Sequence, residues 1–204
     1  MPLIKYNNQS LSSITALPSA IPTGKLKLIS SQTASNSASI SFTTGLNSTY
    51  KVYKFVFSNI HPRTDAVNFQ FNLSTDSGSN YNVTKTTTVF NPIHFENDTV
   101  ASLDYSTSTD LAQSTAYQRL VGDSQAGNGA DESFCGSLTL FNPYSTTYVK
   151  HFMSIFNSYT YDNYTINDYL AGYGNTTSAV NAIQFKMSSG NFDGTIKMYG
   201  VKKS

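Results

Sequence analysis

The sequence predicts an all-β fold, an antiparallel β-sandwich of jelly-roll type preceded by an extended N-terminal arm. Three observations lead there. Ser, Thr and Asn number 29, 24 and 19, together 72 of 204 residues, while aromatics reach 13% with no Trp. That mixture is poor in helix formers and rich in strand and turn formers. From Lys25 to Val201 apolar residues recur mostly with period two, the mark of a strand with one buried face. Gly, Asn, Asp, Pro or Ser interrupts the pattern every 8–20 residues, too often for helices.

Residues 1–24 stand apart. Pro2, Pro18 and Pro22 exclude one regular element, and Leu3, Ile4, Leu11, Ile14, Leu17 and Ile21 are too apolar for a purely solvated tail. We read an arm that docks on something, followed by one sandwich domain, 25–204.

Within that domain the first strands expected are Lys25–Ile29 and Ala38–Thr43. In Tyr50–Ser58, Tyr53, Phe55 and Phe57 share one face and Val52 and Val56 the other, so both sides should be covered. Val67, Phe69, Phe71 and Leu73 alternate with polar residues, and Thr75–Asn80 reads as a hairpin turn returning along Tyr81–Phe90. Val100–Tyr105 follows. Ser108–Gln113 is the one stretch resembling a helical turn, capped by Ser108 or Asp110. Ala116–Val121 precedes Gly122–Ser133, which reads as a surface excursion. The remaining strands expected are Phe134–Phe141, Tyr148–Asn157, Thr165–Ala171, Ala179–Met187 and Thr195–Val201. Edge strands of such a sandwich need covering, which predicts a homo-oligomer, with a trimer expected.

Charge excludes some functions. Thirteen Lys and Arg against twelve Asp and Glu give a net charge of +1, with only 12% of residues charged. No basic field exists to hold nucleic acid. No run approaches the roughly 18 apolar residues of a membrane helix. The N-terminus shows no apolar core of a signal peptide, so synthesis in a cytoplasm is expected. Cys135 alone forms no disulfide framework.

No catalytic pattern emerges, and the chain is expected not to be an enzyme and to need no cofactor or metal. His61, His94 and His151 show no His-x-His spacing. Glu96 and Glu132 are the only glutamates, and neither lies in a catalytic context. Cys135 reads as a structural thiol in an alternating strand. Asp76–Asn80 loosely resembles a calcium loop but lacks its terminal Glu. The Tyr-rich stretch of Tyr159, Tyr161, Tyr164, Tyr169 and Tyr173 is the candidate recognition surface, since tyrosine offers area, a hydroxyl and little entropy to lose.

The C-terminal run from Ser188 to Lys202, with Asn191-Phe192-Asp193-Gly194-Thr195-Ile196-Lys197-Met198-Tyr199-Gly200-Val201, resembles the final strand of a family of virion-associated proteins from tailed bacteriophages, especially those of marine bacteria. Ser74–Asn82, Asp110–Ser114, Leu140–Pro143 and Gly172–Val180 are similar too, so the resemblance spans roughly Lys25 to Lys202. The family ending commonly has one more residue before the Gly-Thr than stands here. The resemblance implies a non-enzymatic structural protein on the particle surface, either a head decoration or a tail-fibre-type component, made in the host cytoplasm. The arm would then hold other virion proteins. Two alternatives are a receptor-binding module for host surface polysaccharide and a glycan hydrolase using paired aspartates.

Overall fold

The computed structural model describes residues 25–202. The predicted arm, with Leu3, Ile4, Leu11, Ile14, Leu17 and Ile21, lies outside the described residues. Twelve strands and no helix form the described part, all paired antiparallel in two packed sheets. They are β1 (Leu26–Ser37), β2 (Ile40–Phe42), β3 (Val52–Pro62), β4 (Val67–Ser74), β5 (Lys85–Phe95), β6 (Ala101–Tyr105), β7 (Gln118–Ala126), β8 (Phe134–Phe141), β9 (Lys150–Tyr159), β10 (Tyr164–Gly174), β11 (Ala182–Met187) and β12 (Phe192–Val201). The larger sheet runs β1-β12-β3-β8-β9-β10-β5-β6 and the smaller β2-β11-β4-β7. The molecule is therefore a β-sandwich.

Its core is aromatic. Phe57 lies at the centre, with ring centroids 5.7 Å from Phe69, 4.9 Å from Phe156 and 5.0 Å from Phe185. Phe42, Phe55, Phe71, Phe134, Phe152 and Phe192 extend the cluster, each on the inward parity of its strand. Edge-to-face and tilted ring pairs fill the space between the sheets and stabilise beyond their buried area.

Val67–Ser74 and Phe134–Phe141 form as the alternation predicts, and four expectations are corrected. β1 runs to Ser37 rather than ending at Ile29. Among the described residues it is a sheet edge, paired with β12, and of its twelve residues only Ala34 is buried, so its Ser- and Thr-rich second half shows no alternation. The Thr75–Asn80 turn does not return a hairpin. Both edges of β4 are taken, by β11 and β7. Residues 81–84 make one backbone bond to β4, Val83 N to Leu73 O at 3.4 Å, but no ladder: Tyr81 O accepts from the Asn72 side chain and Thr84 O from Asn175 N. The chain thus crosses to the other sheet and begins β5 at Lys85. Gly122–Ser133 is half strand, because β7 continues to Ala126, which pairs with Val67. At Ser108–Gln113 a single turn bonds Asp110 N to Ser106 O, and then the backbone of Leu111 exchanges bonds with Thr87, ending any helix.

Candidate interaction surfaces

The smaller sheet covers one face of the larger, and among the described residues the larger sheet's other face is open. Its outward residues read across the strands in register. One row runs Tyr105, Phe90, Tyr169, Ile155, Ser137, Val56 and Lys197. The next runs Thr88, Ala171, Met153, Thr139, Lys54 and Tyr199. The apolar members cluster on the β8-to-β6 half, where Leu103 is 68% exposed, Met153 57%, Tyr105 53%, Ile155 49% and Phe90 45%. Phe90 and Tyr169 lie flat against each other, 4.8 Å between centroids and 5° between planes. Two adjoining depressions of about 520 and 400 Å³ share Phe141, Met153, Thr88 and Ala171. Lys54 is the one Lys, Arg, Asp or Glu among their lining residues. Contiguous apolar surface of this kind marks an interaction site.

The two ends of the strands differ in charge. Where β3, β5 and β9 finish and β8, β10 and β12 begin lie Asp65, Glu96, Asp98, Asp131, Glu132, Asp162 and Asp193, seven of the twelve carboxylates. Cross-connections hold these loops together. Asn128 N donates to Asp65, Glu96 N to Asn163 O, and Tyr159 N to Ser133 O. The acids raise nearby phenols. Burial, followed by the charges of Glu96, Asp131 and Glu132, pushes Tyr159 up, and Asp162 chiefly pushes Tyr161 up. Arg63, in an ion pair 2.8 Å from Asp193, is the one Lys or Arg in these loops, and that pair keeps Asp193 below the usual carboxylate range. At the other end, where β3 begins and β12 finishes, lie Lys25, Lys27, Lys51, Lys54 and Lys202, with Asp76 the one carboxylate nearby.

Between the sheets lies a polar layer beneath β5. Lys85 is fully buried, and its Nζ donates to Asn72 Oδ1 at 2.5 Å and Val83 O at 2.7 Å. Lys150 is buried too, donating to Tyr148 O and Thr176 O. Both lysines flank Gly174 in register, one on each side. Burial lowers both ammonium pKa values, that of Lys85 to about 7. Thr87 Oγ1 donates to Gln118, and Asn91 Nδ2 donates to Asp168.

The five tyrosines do not share one surface. Tyr169 and Tyr173 project from the open face, Tyr173 beside His151 at 6.1 Å. Tyr159 and Tyr161 sit at the acidic end, and Tyr164 stacks on Phe95 at 4.6 Å. The histidines are also dispersed. His61 Nδ1 donates to Glu132 O, His94 faces Asp98 at 3.0 Å, and His151 is on the open face. Among the described residues no three His, Cys, Asp or Glu side chains gather as a metal site. Cys135 is exposed, with its sulfur against Asn59. Asp76 is a turn residue. Ser74 Oγ and Asn80 bond its carboxylate and hold its pKa at about 2.

Sequence reasoning missed the open apolar face and the buried lysines. A signal for the first was present in β9, where Met153 and Ile155 alternate with Phe152 and Phe156, apolar on both sides. No comparable signal marks Lys85. No protein-family model matches the chain, and neither curated proteins nor solved structures yield a match.

Proposed function

We propose that this protein is a non-enzymatic structural subunit of a bacteriophage virion, displayed on the particle surface as a head decoration or tail-fibre-type component. The observation that carries the reading is the strand order. With β5–β6 and β9–β10 set aside, eight strands remain. The first, eighth, third and sixth lie in one sheet, and the second, seventh, fourth and fifth in the other. We read that as a jelly-roll order, an architecture recurrent in virion proteins, and on this reading the two extra strand pairs widen one sheet into an open apolar face. Because fold alone does not carry function, the sequence resemblance over Lys25–Lys202 supplies the virion assignment. Low charge and a broad, largely apolar open face suit a subunit held by repeated contacts. The arm would anchor it to neighbouring virion proteins.

A second reading has one observation in its favour. The mutually stacked Phe90–Tyr169 pair stands on the open face beside the two depressions, an aromatic surface against which a sugar ring could pack. The test of the first reading is to label the protein on intact particles and image them. Label at regular positions on head or tail supports it. Absence from purified particles, or binding and turnover of host polysaccharide by the free protein, replaces it.

A further inference from the structure

We propose that the open face of the eight-stranded sheet is a self-association surface, on which two copies of this chain pack face to face with their strands antiparallel. The inference stands apart from the virion reading, since it concerns the free protein in solution.

Size comes first. The apolar half spans five strands, β8 to β6. At about 4.8 Å between strands and about 3.3 Å per residue it measures roughly 24 by 30 Å, or about 700 Å². A stable interface needs about 800 Å² per partner. The remaining strands, β3, β12 and β1, continue the same face with Val56, Tyr199 and Leu28, enough to reach that area.

Chemistry selects the occupant. The residues that line the two depressions include no carboxylate and one lysine, Lys54, and the outward rows add only Lys197 on β12, so a second identical face brings little like-charge repulsion over its apolar half. Met153, Ile155 and Leu103 offer a sugar no hydrogen bonds, whereas another sheet's Met, Ile, Leu and Phe can interdigitate with them at the usual ~10 Å sheet spacing.

Charge then selects the orientation. A two-fold axis lying in the interface can run along the strands or across them. Along the strands, it places the seven-carboxylate ends of both copies side by side. Across the strands, the lateral order is kept and each strand lies over its reversed counterpart, so the acidic ends separate and the Asp131–Glu132 start of β8 comes over the partner's β8 end, beside Lys51. Charge at the rim steers association and fixes register. The second arrangement relieves the acid-on-acid contact.

Sedimentation of the full chain at about 20 µM and ~0.15 M salt reads the state directly. A species of twice the 22.3 kDa chain mass is expected. Met153→Lys and Ile155→Lys should each turn it to a monomer that keeps the wild-type circular dichroism spectrum, since both side chains are about half exposed. A wild-type monomer, a trimer, or a dimer that survives both substitutions overturns the proposal. For orientation, Asp131→Lys should weaken the dimer about tenfold, and adding Lys51→Glu should restore it. Strengthening by the first substitution, or no effect, overturns the antiparallel arrangement.

Discussion

Lys85 makes the stability of this protein fall as pH falls, as carboxylates with lowered pKa values do, but in a window several units higher. Its ammonium is buried among β5, β4 and the 81–84 segment, with carbonyl oxygens as hydrogen-bond partners. Burial disfavours the charged form and lowers the pKa from 10.5 to about 7. Above pH 10.5 the folded and unfolded chains both carry a neutral amine, and there is no penalty. Between 10.5 and about 7 the unfolded chain takes up a proton that the folded chain refuses, so stability falls as pH falls. Below about 7 both are protonated and the full loss, about 5 kcal/mol at ~1.4 kcal/mol per pH unit, is reached. Between pH 9 and pH 7 alone the wild type should lose about 2–3 kcal/mol from this group. The perturbation is Lys85→Met. It removes the titration and leaves Val83 O without that donor, a cost of about 1–3 kcal/mol that does not vary with pH. Asn72 Oδ1 keeps the Leu73 N–H. Urea unfolding at pH 7, 8 and 9 measures the slope separately from the offset. Lys150, also lowered by burial, supplies any remaining slope, so the double variant with Lys150→Met should be flat. A Lys85→Met protein that keeps the wild-type gain from pH 7 to 9 to within about 0.5 kcal/mol refutes the reasoning.

Three further outcomes are expected. Phe69→Ala, which removes a ring contacting Phe57, Phe134, Phe156, Phe185 and Phe192, should cost about 3–5 kcal/mol in urea unfolding. Gly136→Ala should cost about 1–3 kcal/mol, because the added carbon would lie 2.5 Å from Ile155 O and 2.6 Å from the Phe156 ring. The Asp76 carboxyl should titrate near 2 by NMR, with Ser74→Ala moving it toward 3.8, since hydrogen bonds from Ser74 and Asn80 hold the charged form. Its contribution to stability is therefore present above 3.8 and lost as pH falls through about 2.

The sequence by itself determined the class and most of the strands. Alternation is a local property, so Val67–Ser74 and Phe134–Phe141 are visible wherever one face is buried and the other is not. It also determined which side chains face inward, as Tyr53, Phe55 and Phe57 show. Where a strand is an edge, as β1 is, neither face needs apolar residues and the pattern vanishes. Only the tertiary structure decided which strands pair. Thr75–Asn80 has every local feature of a hairpin turn, but β4 already has two partners and the chain crosses to the other sheet. Pairing depends on which edges remain open, and that is set by residues far along the chain. The candidate surfaces were decided the same way. Seven carboxylates scattered from Asp65 to Asp193 become one end because antiparallel strands return every second loop to the same side. Phe90, Ile155 and Tyr169 become one row because register aligns them. Lys85 reads as an ordinary charged residue in sequence, and only packing takes its amine out of water.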